Sequence, residues 1–296
     1  MSRSVPVSIV IINKNDRGIA DTLRALQTIS SPVPFEVVVI DASAGKLDDI
    51  AARFPRVQWV PFVSRSGRRF TIPEQRNAGV RAARGDIIVY TDASCVPEPN
   101  WLQLLLAPIL GGQESIVAGS TLSRGGPTIH DQNREHRGKG GEVTYLPECP
   151  TINLAFTRGA FDAIGGFDER FDYGSDVDFS WRAYDAGYKV RYIPEAVVVH
   201  DWGKASEDFK RAYRYGIARA RLYKKHPHRW RQLLGPDITA LIYPVYLLGL
   251  PLTLWFWPYP LLVFVPLIKN IRKQPLKVLQ KHLVYAVGEL RELVRI

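Results

Sequence analysis

In the first part of the chain, apolar runs of strand length alternate with stretches of helical spacing. VSIVIIN (Val7 to Asn13), FEVVVID (Phe35 to Asp41), VQWVPF (Val57 to Phe62), DIIVYTD (Asp86 to Asp92) and SIVAGST (Ser115 to Thr121) predict strands. Between them, the periodicity predicts helices over Ile19 to Ile29, Lys46 to Phe54, Pro73 to Arg84 and Asn100 to Leu110. Unbroken Val and Ile runs mean strands covered on both faces, so the expectation is a mostly parallel α/β sheet flanked by helices. In such sheets ligands collect beyond the carboxyl ends of the strands, where Asn13, Asp41 and Asp92 fall.

The pattern then changes. Ser123 to Val143 is Gly-rich, polar and basic, the composition of a long excursion, and excursions of that length are commonly lids or disordered. A helix is expected from Arg158 to Ile164, stopped by Gly165-Gly166, and a second from Asp176 to Ala186 before Gly187. RYIP and AVVVH, within Arg191 to His200, read as strand, and Glu207 to Lys225 as a basic helix. From Ile238 to Ile268 the chain carries no charge over 31 residues, but Pro244, Pro251, Pro258, Pro260 and Pro266 interrupt it. A single span would put Lys269, Arg272, Lys273, Lys277 and Lys281 across the membrane from the body, against the positive-inside tendency. Two arms of about 15 residues reach roughly 22 Å each, short of a roughly 30 Å hydrocarbon core. The expectation is therefore a re-entrant or interfacial hairpin, with a buried helical pair or a dimer contact as the alternative. Leu276, Leu279, Leu283, Val287, Leu290 and Val294 then predict one apolar face of a final amphipathic helix, suited to a membrane surface or a partner.

Composition narrows the class. With 46% hydrophobic and 23% charged residues, the 296-residue chain can bury a large core and is not of the disordered type. Cys95 and Cys149 lack metal-like spacing and read as reduced thiols. The opening run leads straight into Asn13-Lys14-Asn15-Asp16 without a small-residue cleavage site, which reads as a strand and not a signal peptide. The net charge of +10 is unevenly placed: residues 203–296 hold 17 Lys and Arg against 5 Asp and Glu, a balance of +12, and residues 1–202 balance at −2. A near-neutral body with a basic tail beside an apolar stretch points to an anionic membrane surface and away from nucleic acid.

Among side chains suited to chemistry, Asp92 ends a strand and could reach a ligand or a hard divalent cation, or simply cap a turn. Ser175 and Asp178 have the spacing of a capping box, which would leave Asp176 in the first helical turn, where the macrodipole favours its ionised form. An ionised carboxylate there could take the proton of an attacking sugar hydroxyl. His200 closes a strand and fits either a metal or phosphate contact or an edge hydrogen bond. Arg65, Arg68, Arg69 and Arg76 lie on the expected phosphate side, most of them solvated.

Taken in order, these segments resemble the family 2 inverting glycosyltransferases, which have the glycosyltransferase-A fold, from Val7 to about Trp202. VSIVIINKND resembles the family's first strand and turn, VVVIDAS the second, and QRNAGVRAARGDIIVYTDAS the helix, turn and strand that lead to its D-x-D motif. PTINLAFTRGAFDAIGGFDERF and GSDVDFSWRAYDAGYKVRYIPEAVVVHDWG resemble the acceptor-side blocks. The resemblance implies nucleotide-sugar contacts at Asn13, Asn15, Asp41, Arg76, Asn77, Asp92 and Ala93. It places acceptor contacts at Asn153, Gly165, Gly166, Phe167 and Asp168, a general base at Asp176, and a Mg or Mn ion on Asp92 with His200. Three positions depart from the pattern: Ala42 and Ser94 stand where the family usually has Asp, and Ser175 where it has Glu. Ser94 replaces a chief metal ligand and weakens the expected dependence on metal. Beyond Trp202, RAYRYGIARARLYKKHP resembles the tail of membrane-associated members that build surface polysaccharides, some of them rhamnosyltransferases.

The implied organisation is a catalytic domain over 1–203, with a nucleotide-sugar half over 1–121 and an acceptor half over 143–203. A basic helical segment (204–237), an apolar membrane-associated hairpin (238–268) and an amphipathic helix (269–296) follow. The implied reaction moves a hexose or deoxyhexose from a nucleotide-diphosphate sugar to a glycan or lipid-linked hydroxyl, with inversion. The expected setting is the cytoplasmic side of the plasma membrane, in cell-envelope polysaccharide synthesis, with homodimerisation through the C-terminal helices as a further use of that region. A polyprenyl-phosphate sugar synthase and an idle nucleotide-sugar-binding subunit are the competing expectations.

Overall fold

The computed structural model describes residues 6–65, 67, 71–124, 143–201, 208–264 and 275–295. Arg68, Arg69, most of the 123–143 excursion, the 202–207 segment and the basic positions Lys269, Arg272 and Lys273 lie outside the described residues. The chain divides into two compact units, Met1–Trp202 and Gly203–Ile296.

The elements of the first unit run β1 (Val7–Asn13), α1 (Ile19–Leu26), β2 (Phe35–Asp41), α2 (Asp48–Ala51), β3 (Gln58–Pro61), α3 (Ile72–Ala82), β4 (Ile87–Thr91), β5 (Cys95–Pro97), α4 (Trp101–Leu110), β6 (Ile116–Ser123), β7 (Thr144–Leu146), β8 (Asn153–Thr157), α5 (Arg158–Ile164), α6 (Ser175–Asp185) and β9 (Val190–His200). Among the described residues the nine strands form one sheet in the order β3-β2-β1-β4-β8-β6-β9-β5, with β7 also on β9. Strands β3, β2, β1 and β4 are parallel, as the unbroken Val and Ile runs predicted, whereas β8 runs antiparallel between β4 and β6. Sequence periodicity missed β5 and β7, which at three residues are too short to show a period, and β8, which runs directly into helix α5.

Alternation along the central strands divides the core between the two faces. Ile9 and Ile11 pack with Leu23, Trp101 and Leu105 on one side; Val10 packs with Val80, Phe156, Phe161 and Phe179 on the other. Register then sets the functional edge. Asn13 pairs with Asp41, and Val10 with Tyr90, so the β4 exit carrying Asp92 lies level with the β1 exit. A shift in pairing between Gly119 and Ser120 lets the end of β9 continue, and Cys95 pairs with His200. That pairing brings His200 beside the Asp92 turn from more than one hundred residues away.

The capping box does not form. Gly174, in the left-handed region, is the N-cap of α6 and Ser175 is already the first helical residue. Asp178 instead pairs with Arg182 at 2.8 Å, one turn along the helix.

The second unit holds α7 (Asp208–Lys225), a 3-10 stretch (Pro227–Leu234), α8 (Thr239–Leu248), two further 3-10 turns (Leu250–Leu254 and Tyr259–Phe264) and α9 (Pro275–Leu293). Helices α7 and α9 meet at two glycines: a Cβ on Gly216 would lie 1.9 Å from the Tyr285 carbonyl oxygen, and one on Gly288 2.2 Å from that of Tyr213. Of the expected apolar stripe, Leu279 is buried while Leu276, Val287 and Val294 are exposed, and Ala286, Gly288, Glu289 and Glu292 are buried beside it. The uncharged segment folds back on itself, with Tyr246 and Tyr259 stacked at 5.6 Å and the Tyr259 hydroxyl donating to the Tyr246 carbonyl. Among the described residues no helix is long and apolar enough to cross a membrane.

Candidate active site

Beyond the carboxyl ends of β1, β2 and β4 the chain makes three turns that interlock. The Asn13 side chain accepts from the Asp16 amide and donates to the Asp16 carbonyl, closing the turn after β1. Asn15, at φ 61°, donates its amide to Ser43 Oγ, and the Ser43 amide donates to Asp41 Oδ1. Asn13 is buried and directed at its own loop, whereas Asn15 is exposed.

Asp92 follows β4 and is partly exposed. Burial pushes its carboxyl above the usual range; Arg76 and His200 oppose that rise, while Asp176 and Asp16 add to it. Arg76, His200, Asp176 and Asp16, from separate elements, therefore all bear on the charge of Asp92. His200 is oriented by Cys95, whose Sγ lies 3.3 Å from Nδ1. The Cys95 thiol is itself pushed up to about 12, first by burial and then by Asp92, and stays protonated at neutral pH.

Arg76 stands between the halves of the domain. Its Nη1 donates to Ser175 Oγ at 3.0 Å, its guanidinium lies 5.4 Å from the Phe167 ring centroid, and its carbonyl accepts from the Tyr90 hydroxyl at 2.5 Å. Ser175 begins α6, so the same helix start offers Asp176, whose Oδ1 takes the Val177 amide at 3.0 Å. The Asp176 carboxylate thus sits in the first turn of α6.

The acceptor-side residues divide between surface and scaffold. Gly165 and Gly166 both hold left-handed φ values, 84° and 69°, and close α5. Arg182 donates to the Ile164 and Gly166 carbonyls, and Asn77 both accepts from the Phe167 amide and donates to its carbonyl. These bonds fix the Gly-Gly-Phe turn against α3 and α6. The Phe167 ring is in the core, stacked on Phe179 at 4.7 Å. Asn153 is likewise internal, donating to the Ser120 and Ala196 carbonyls and accepting from Trp101 Nε1. Asp168 is bound by Arg170, and Ala93 is buried in the turn after Asp92. The convergent groups are therefore Asp92, Arg76, Asp176, Asp16 and His200, while Asn77, Asn153 and Phe167 hold the walls in place. Asp16 was not singled out in the sequence. Its signal is a carboxylate in the turn at the end of a central strand.

Of the donors near Asp92, the carboxylates have the oxygen chemistry that a Mg or Mn ion takes, whereas the His200 imidazole suits softer metals better.

The model described as glycosyl transferase family 2 matches residues 8–167, and one described as glycosyl transferase family group 2 matches 143–268. A Mycobacterium tuberculosis relative named pre-mycofactocin glycosyltransferase is 29% identical over 54% of this chain and 36% of its own length. The chondroitin synthase of Pasteurella multocida is 24% identical over 79% of this chain and 29% of its own. The chain thus spans about a third of the length of these relatives. Among solved structures, a Pyrobaculum calidifontis mannosyltransferase in complex with GDP-Man and Mn2+ superposes with a TM-score of 0.68 at 18% identity, over 99% of this chain and 88% of that one. GalNAc-T7 with UDP, GalNAc and Mn2+ gives 0.56 at 18% identity, over 81% and 58%.

Proposed function

This chain belongs to glycosyl transferase family 2, has the glycosyltransferase-A fold, and from that membership we propose an inverting transfer from a nucleotide-diphosphate sugar to a glycan or lipid-linked hydroxyl at a membrane surface. The observation that carries the reading is the Arg76–Ser175 hydrogen bond, which ties the half that carries Asp92 to the helix that carries Asp176.

A single displacement needs a base on the acceptor side, a counter-charge for the leaving diphosphate, and fixed alignment of the reactants. Asp176 takes the proton of the attacking hydroxyl. The Arg76 guanidinium supplies positive charge near the diphosphate, and its bond to Ser175 fixes the distance between donor and acceptor sides. A divalent cation held by Asp92 and His200 would add Lewis-acid stabilisation of the leaving group. The Gly165-Gly166 turn, tied by Arg182 and Asn77, forms the wall against which an acceptor is placed. A nucleoside diphosphate leaves readily, so no general acid is required.

The second unit supports the membrane setting. Leu254, Trp255 and Trp257 are 84%, 83% and 76% exposed at the turn of the uncharged segment, and the unit carries the chain's excess of Lys and Arg. Exposed apolar and aromatic tips in a unit rich in Lys and Arg fit an anionic leaflet. We place the enzyme on the cytoplasmic face, acting in surface-polysaccharide synthesis.

The test is transfer from UDP-, GDP-, dTDP- and CDP-sugars to lipid-linked and free glycans, with anomeric configuration read by NMR, alongside flotation on anionic and neutral vesicles. Product of inverted configuration and flotation on anionic vesicles support the reading. Retained configuration, or transfer only to a lipid phosphate, overturns it.

A further inference from the structure

The arginines that brace the first unit spend their guanidinium groups on fixed partners. Arg158 donates to the Val80, Ala83 and Gly85 carbonyls, and Arg182 donates to the Ile164 and Gly166 carbonyls while pairing with Asp178. Arg76 differs. It is only 8% exposed, yet among the described residues its side chain makes one hydrogen bond, to the Ser175 hydroxyl at 3.0 Å, and no ion pair. The contact with the Phe167 ring takes up no N–H. A guanidinium carries five N–H donors and cannot shed its charge, so most of the donors of this nearly buried cation stay without a protein acceptor. Neither Nε nor Nη2 is a fully buried unpartnered atom, so both open on accessible space. A cation withdrawn from water in this way is costly unless an anion completes it.

The partner that Arg76 does have is neutral. Ser175 is itself buried and opens α6, so its hydroxyl is fixed in front of the guanidinium by the start of the helix. A carboxylate at that place would pair with Arg76 across the same gap and cancel its charge, whereas the hydroxyl holds the side chain and leaves the charge unspent. We propose that Ser175 is a specificity-determining residue, which anchors Arg76 through a neutral group so that the guanidinium keeps its charge for the donor diphosphate, whether or not a divalent cation is bound. This rests on the glycosyltransferase reading above for the identity of the site and adds to it the residue that sets the charge the diphosphate meets. Ser175 acts through Arg76 and does not itself touch the donor. Its replacement by an acid therefore costs affinity in proportion to the charge on the ligand.

The test is titration calorimetry on the full chain in chelator, with UDP, GDP, dTDP and CDP and then, for the nucleotide that binds best, with its monophosphate. The wild type is expected to bind the diphosphate more tightly than the monophosphate. Arg76→Gln should weaken the diphosphate by about tenfold to a hundredfold and the monophosphate less, as loss of a charge-assisted contact requires. Ser175→Glu should do the same, whereas Ser175→Gln, of equal size and without charge, should stay within severalfold of the wild type. Added to Arg76→Gln, Ser175→Glu should cost no more than about a further twofold, because the residue it acts through is gone. Melting curves establish that each variant folds, and Ser175→Asp takes the place of Ser175→Glu if the longer acid does not. Wild-type affinity in the acidic variant overturns the proposal, as does an equal loss in Ser175→Gln, which would make the size of the side chain responsible. Nucleotide binding by the wild type only when Mn2+ is supplied overturns it too and leaves the glycosyltransferase reading standing. No binding of any nucleotide by folded wild type, with or without Mn2+, overturns the two together.

Discussion

Arg76 and Ser175 are 99 positions apart in sequence and joined by a 3.0 Å hydrogen bond across the gap between α3 and α6. One end of that bond belongs to the half that carries Asp92, the other to the helix that carries Asp176. Replacing Arg76 with Lys keeps the charge but loses the planar fork that bonds Ser175 while lying on Phe167. We expect kcat/KM to fall about tenfold or more, with a small change in thermal midpoint. Steady-state kinetics beside a melting curve separates this from simple unfolding.

Asp176→Asn removes the proton acceptor and leaves the first turn of α6 in place. Donor affinity is expected to stay within twofold, while kcat falls by about 10²- to 10⁴-fold. Calorimetry on donor nucleotide together with a transfer assay checks both halves; undiminished turnover would remove Asp176 from the mechanism.

How much of this was legible in the sequence depends on whether the signal is local. The β1 and β2 runs have the bounds that their apolar residues predicted, because strands covered on both faces must be apolar throughout. Gly165 ended its helix as expected, since a left-handed φ favours glycine. The Ser175 capping box failed because Arg76, remote in sequence, takes the serine hydroxyl, and Gly174 caps the helix instead. Asp16 went unnoticed because only the folded sheet sets the β1 turn beside the β4 turn. Asn153 and Phe167 carry family-like motifs but lie inside the domain, where they position the wall and do not form its surface.

The contact between α7 and α9 depends on the absence of a side chain at Gly216. Gly216→Ala would drive a methyl group into the Tyr285 carbonyl, and we expect the second unit to lose about 1–3 kcal/mol or more. Gly159→Ala, in open space on helix α5, should be neutral or stabilising by up to about 1 kcal/mol. Denaturant unfolding of the two variants gives the contrast. Equal stability would show that the helices can separate without cost.

Glu289 is buried on α9 with its Oε2 unbonded among the described residues, and burial pushes its carboxyl from 4.5 up to about 9, with Asp237 adding to the rise and Arg219 opposing it. The folded state holds a proton that the unfolded state releases above pH 4.5. Stability should therefore fall as pH rises from about 4.5 to about 9, by at most roughly 1.4 kcal/mol per unit, and level off beyond. Glu289→Gln should flatten that dependence and raise stability at pH 7. Denaturation midpoints across the pH range read the effect directly; parallel curves for the two proteins would place the ionised form in the folded state.

The central claim is that a nucleotide-diphosphate sugar is held where Arg76, His200 and Asp176 converge on Asp92. Titration calorimetry of UDP, GDP, dTDP and CDP, in Mn2+ and again in chelator, against wild type and Asp92→Ala tests it most directly. Selective binding of one nucleotide, weakened at least tenfold in Asp92→Ala, is the predicted result. Equal binding of that nucleotide to both proteins, or none to either in folded samples, contradicts the account.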